Sequence, residues 1–110
     1  MKVLLDENLP HRLRTALVNH EVVTASYMGW KGLSNGLLIA AAESGGIEVL
    51  LTGDGNLAYQ QNIANRLISV VTVSEIEWPV IEPHLSAISE AIARAVPGSF
   101  QFVDCGDPGE

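Results

Sequence analysis

Two carboxylates stand where a chain of this pattern could use them. The sequence contains four aspartates, of which Asp104 and Asp107 fall in the C-terminal stretch "DCGDPGE" and only Asp6 and Asp54 lie in the body. Asp6 directly follows the apolar run "KVLL", and Asp54 follows "LLTG". Glu7 and Asn8 extend the first junction, Asn56, Gln60 and Gln61 extend the second, and Asn35 opens a third. Asp and Asn after strands are ordinary helix caps and turn formers. One cap would suffice after the first run, yet three polar side chains are supplied there. Two like charges about 4 Å apart repel by roughly 4 kcal/mol at an effective dielectric of 20. A cation or a shared proton relieves such a pair. The donors are hard oxygens, with no cysteine and no paired histidines nearby, a set that suits Mg2+ or Mn2+ and suits Zn2+ poorly.

What could bring Asp6 and Asp54 together is the order of elements. Val3 to Leu5 reads as a short buried strand, followed by a helix that Asn8 caps, Pro10 enters, and Leu13, Ala16 and Leu17 line. Glu21 to Ala25 is a second strand, and the glycine-bearing segment from Ser26 to Leu33 reads as loop. Ser34 or Asn35 caps a helix through Ser44 that Gly45-Gly46 ends. Ile47 to Thr52 and Leu67 to Val73 are further strands. Ile81, Leu85, Ile88, Ile92 and Ala95 form one helical stripe stopped by Pro97-Gly98, and Ser99 to Val103 closes with Phe100 and Phe102 on one face. Near-continuous apolar strands alternating with helices predict an α/β domain, a mostly parallel sheet of about five strands flanked by helices on both sides. Right-handed crossovers would place the strands' C-terminal ends along one edge, where such sheets bind ligands.

Size and composition bound the rest. A chain of 110 residues with 47% apolar and 17% charged residues is a single globular domain, expected over residues 1–103 with a flexible acidic tail at 104–110. No apolar run is long enough to span a bilayer, and the N-terminus lacks the apolar core of a secretory signal. No membrane association and a cytoplasmic location are expected. Cys105 has no internal partner for a disulfide. A net charge of −7 with six Lys and Arg argues against broad non-specific nucleic-acid binding, so an RNA substrate would need a local basic rim or a cation. Arg12, Arg14 and Lys31 are the candidates for that rim. His11, His20 and His84 are scattered and expected at the surface, and loop packing is the expected role of Trp30.

"MKVLLDENLP" with its helix, "GWKGLSNGLLIAAAE" and "LLTGDGNLAYQQN", together over about residues 1–75, resemble the short PIN-like domains grouped with the VapC-type toxin ribonucleases. The resemblance implies a PIN-type three-layer domain, an Mg2+ or Mn2+ site and metal-dependent hydrolysis of RNA. It also implies an antitoxin protein as partner and homodimers. Asp6 matches the acid after the first strand and Asp54 the acid of the Thr-x-Asp motif. Asn35 and Asn56 stand where relatives place further acids or amides, so Asp6, Asp54, Asn35 and Asn56 are the expected metal ligands. Glu7 is the candidate to orient or deprotonate the attacking water. Asn8, Arg12, Lys31, Gln60 and Gln61 are candidate substrate contacts, with locking of the local loop the preferred role for the amides.

The neutral Asn35 and Asn56 depart from the three or four acids of a full PIN nuclease. Glu43 could replace one lost charge but lies at the far end of its helix. A binding module without catalysis is the alternative reading. A receiver-like phosphoacceptor domain is a weaker third: it shares Asp6-Glu7, Asp54 and a hydroxyl at Thr72 or Ser74. It also requires a lysine after the fifth strand, where this chain has Asp104.

Overall fold

The computed structural model describes residues 1–57 and 61–106. Five strands, β1 (Lys2–Leu5), β2 (Glu21–Thr24), β3 (Val49–Thr52), β4 (Ser69–Val73) and β5 (Phe100–Val103), form one sheet in the order β2-β1-β3-β4-β5. All four neighbouring pairs run parallel. The sheet reverses direction of growth between β1 and β3, the switch point of a doubly wound sheet.

Alternation along each strand divides the core in two. Val3, Leu5, Val49, Leu51, Val71 and Val73 pack on one face with Leu13 and Leu17 of the first helical segment, α1 (Leu13–Ala16) and its end. Leu4, Leu50 and Val70 pack on the other, against Ala25 of α2 (Ala25–Met28) and Leu38, Ile39 and Ala42 of α3 (Asn35–Ser44). The three-layer α/β arrangement expected from the strands' continuous hydrophobicity is present.

Three local details differ from the sequence reading. The segment after β2 is helical from its start, because the Thr24 hydroxyl accepts the Tyr27 N–H at 3.1 Å and Gly29 ends the turn at φ 78°. Asn8 does not cap α1; its side chain is used elsewhere, as described below, and Arg12 occupies the cap position without a side-chain bond. The stripe from Ile81 to Ala95 is divided into α4 (Trp78–Ile81), a 3-10 turn (Glu82–His84) and α5 (Leu85–Ala93). Pro83 lacks the N–H that a continuous helix would need at that point. The stripe itself is core: Ile81, Ile88 and Ile92 are fully buried.

The last crossover departs from the expected uniform hand. The step from β1 to β2 crosses the α1 face, while β2 to β3 and β3 to β4 run the other way across the α3 face, so these three share one hand. The step from β4 to β5 keeps the second direction yet crosses the α1 face through α4 and α5. It therefore takes the opposite hand, against the usual rule. Coverage explains it: over β4 the α3 face is occupied by Leu57, Ile63 and Ile68. The α1 face has one four-residue helix until Ile81, Ile88 and Ile92 arrive. His20 holds them, its Nε2 lying 3.1 Å from both the carbonyl and the hydroxyl of Ser89, and so is not the plain surface residue expected.

Packing also continues past Val103. Cys105 is buried, its N–H donates to the Ser74 hydroxyl at 2.8 Å, and burial pushes its thiol pKa up. Residues 107–110 lie outside the described residues.

Glu43 ties α3 to the segment before β4. Its carboxylate accepts from the Arg66 guanidinium and from the Leu67 N–H, each at 2.7 Å. Burial opposes its ionised form, but the Leu67 N–H and Arg66 outweigh this and leave its pKa below the ordinary value. A depressed carboxyl pKa contributes stability that is present above the unfolded-state pKa and lost as pH falls through the folded one. Glu43→Gln should therefore lower Tm by roughly 4–8 °C at pH 7, the equivalent of about 1 kcal/mol. Thermal melts followed by circular dichroism should show that difference shrinking as the pH falls below the ordinary glutamate range.

Candidate functional site

Asp6 and Asp54 arrive at the same edge of the sheet. β1 and β3 are hydrogen-bonded neighbours, and the Asp6 N–H continues the ladder by donating to the Leu51 carbonyl at 2.9 Å. Asp6 is thus fixed as the first residue beyond the β1 end. Thr52 closes β3, fully buried, and its hydroxyl donates to Asp6 Oδ2 at 2.6 Å while accepting the Asp54 N–H at 3.0 Å. One hydroxyl therefore orients the first carboxylate and the backbone that carries the second. In the sequence the only sign of this role is a polar residue ending an otherwise apolar, buried strand.

The remaining contacts explain the density of polar residues around these aspartates. Asp6 Oδ1 accepts the Glu7 N–H at 2.8 Å, and Asp54 Oδ1 accepts the Asn56 N–H at 3.0 Å, so each acid also shapes its own turn. Asn8 Oδ1 accepts the Gly53 N–H at 3.2 Å, which fastens the β1 loop to the β3 loop. A Cβ on Gly53 would come within 2.7 Å of Ile76 Cγ2 and 3.3 Å of Leu9 Cδ2. This is why glycine separates Thr52 from Asp54: the loops after β1 and β4 close over it. Glu7 Oε1 accepts the Gly32 N–H at 3.3 Å and joins the loop between α2 and α3 to the same edge.

Other expected site residues divide by what they touch. Asn35 is the first residue of α3, three positions beyond the loop residue that Glu7 holds, while Asn56 is exposed beside Asp54. Gln61 Oε1 lies 3.3 Å from where a Gly36 Cβ would stand, so the Gln61 side chain packs against the start of α3. Gln60 lies outside the described residues. Trp30 packs against Gly45, where a Cβ would meet its ring at 2.8 Å. Arg12 and Lys31 are exposed. Glu43, engaged with Arg66 and Leu67, is not a member of this edge.

Among the described residues no group of three or more His, Cys, Asp or Glu side chains is gathered as a metal cage. Asp6, Glu7 and Asp54 are the carboxylates that this edge could offer to a divalent ion, each already accepting a backbone N–H. The order β2-β1-β3-β4-β5 is also that of flavodoxin-like sheets. No lysine follows β5, which the phosphoacceptor reading requires. Among the described residues no helix is long and apolar enough to cross a membrane. Comparison with protein-family models, with curated proteins and with solved structures gives no match.

Removing the Thr52 hydroxyl should loosen both aspartates at once. Thr52→Val keeps the shape but leaves Asp6 Oδ2 and the Asp54 N–H without that partner, at about 1–3 kcal/mol. Its Tm should fall by several degrees, whereas Thr52→Ser should melt close to wild type. Equal melting of the two variants would remove the hydroxyl from this role.

Proposed function

We propose that the domain is a divalent-metal-dependent endoribonuclease of PIN-like type, with Asp6 and Asp54 as its central acids. The observation that carries this reading is the Thr52 hydroxyl joining the two acidic junctions at the switch point between β1 and β3. The sequence resemblance supports it through the same residues.

In this reading Asp6 and Asp54 hold the ion, with Asn35 and Asn56 as the amides expected to complete the set. A divalent ion bound there supplies Lewis acidity at a phosphate oxygen and lowers the pKa of water. Glu7, anchored through Oε1 to Gly32, has Oε2 left to take the proton of the attacking water. Asn8 and Gln61 keep the loops in register, and Arg12 and Lys31 meet the phosphate backbone. A toxin role, with an antitoxin protein bound and homodimers formed, extends the same proposal. A binding module without catalysis is the second reading, favoured by the neutral Asn35 and Asn56.

Asp6→Asn and Asp54→Asn should each abolish Mn2+- or Mg2+-dependent cleavage of RNA while leaving the far-ultraviolet circular dichroism unchanged. A wild type inactive on a range of RNAs with either ion would replace the enzyme by the binding module.

Ion binding should be visible without turnover. A ligand specific to the folded state, at a hundredfold excess over Kd, stabilises it by about 2.7 kcal/mol. That is on the order of a 10 °C rise in Tm for a domain of this size. Mn2+ should raise the wild-type Tm by at least as much as Mg2+ and leave both Asn variants nearly unmoved. Equal shifts in all three proteins would place the ion elsewhere.

A further inference from the structure

The six cations of this acidic chain are sorted along the strand direction. Lys2 at the start of β1 pairs with Glu21 at 4.0 Å, Arg66 before β4 with Glu43 at 2.7 Å, and Arg94 before β5 with Glu90 at 3.6 Å. All three stand at or before the starts of strands, at the N-terminal edge of the sheet. Arg12, Arg14 and Lys31 have no acid partner among the described residues. All three follow strands, at the edge that carries Asp6 and Asp54: Arg12 and Arg14 at the start of α1, Lys31 beside the glycine that Glu7 holds. One of them is also built in place. Arg12 Cζ lies 5.5 Å from the ring centroid of Trp78, which opens α4 after β4 and is itself packed against the core.

We propose that Arg12, Arg14 and Lys31 form a landing surface for the phosphate backbone of a polynucleotide, with Trp78 as the positioning residue that fixes Arg12. An exposed arginine ordinarily loses rotamer freedom when it engages a phosphate. A core-anchored indole under the guanidinium restricts that freedom beforehand and leaves the N–H groups directed outward for phosphate oxygens. On a chain of net charge −7, cations left unpaired only beside the acidic edge give a polyanion one favourable approach. This inference rests on the ribonuclease reading for the identity of the polymer, but it does not depend on cleavage.

The test is the binding of a fluorescein-labelled RNA 20-mer to the full chain in EDTA, by fluorescence anisotropy over a range of KCl concentrations. Arg12→Gln should weaken binding several-fold and reduce the slope of log K against log salt by about 0.7, the share of one contact to a single strand. Trp78→Leu should weaken it to a similar degree and Trp78→Tyr should restore most of the loss. The double variant Arg12→Gln/Trp78→Leu should be no weaker than Arg12→Gln alone. Arg94→Gln, at the opposite edge, should bind as wild type does. Additive effects of the Arg12 and Trp78 changes, a loss in Arg94→Gln equal to that in Arg12→Gln, equal affinity for polyglutamate, or no RNA binding at low salt would each overturn the proposal. Binding with this pattern from a protein that never cleaves RNA would leave the landing surface standing and remove the nuclease.

Discussion

A single buried hydroxyl organises the loop end of this molecule. Thr52 is fully buried at the tip of β3, and its Oγ1 reaches across to Asp6 Oδ2 while receiving the Asp54 N–H. Parallel pairing of β1 with β3 supplies the coarse alignment, but a ladder fixes backbone only. The hydroxyl converts backbone register into carboxylate orientation, because it gives to one junction and takes from the other. Asn8 bound to Gly53 and Glu7 bound to Gly32 then repeat the pattern one layer out, each tying the β1 loop to a neighbour. The acids are held by bonds within hydrogen-bonding distance of the core, so their geometry depends on the sheet being intact.

The division of labour along the strands follows from the same architecture. At the N-terminal edge, charges are spent on structure: Glu43 clasps Arg66 and Leu67, Glu90 reaches Arg94, Glu48 accepts the Lys2 N–H. A hollow of about 130 Å³ at that edge is lined by Met1, Leu67, Ala95, Val96 and Pro97 together with Glu48 and Ser69. At the opposite edge no acid pairs with a cation among the described residues: Asp6 meets the Thr52 hydroxyl and the Glu7 N–H, Glu7 and Asp54 meet backbone N–H groups, and Arg12 lies over an aromatic ring.

Much of this was readable from pattern alone. Unbroken apolar runs at Val3, Val49 and Val70 announced a parallel sheet, and residues directly after them had to share an edge. The details that escaped are those set by partners distant in sequence. Asn8 resembles a helix cap locally, yet its bond goes to Gly53, which no local rule foresees. Thr24 caps α2 where glycines nearby suggested loop. Cys105 sits in a polar sequence and is buried because Ser74 receives its backbone. The hand of the final crossover depended on which face of the sheet lacked cover, a property of the whole assembly. The arrival of Asp6 and Asp54 at one edge of the sheet was legible; the hydroxyl that links their two junctions was visible only as a polar residue at the end of a leucine run.

The reversed hand of that last connection leaves its mark on the final strand. With α5 carried to the α1 side, β5 turns Val103 and Gln101 toward it and presents Phe100 and Phe102 outward, 40% and 57% exposed. Two phenylalanines that a uniformly wound sheet would have covered are partly wetted. On the scale of apolar burial this forgoes on the order of a few kcal/mol. Phe102, the more exposed, is accordingly a position whose hydrophobicity contributes little to folding. It marks the end of the sheet where polarity can be introduced for solubility without disturbing either core.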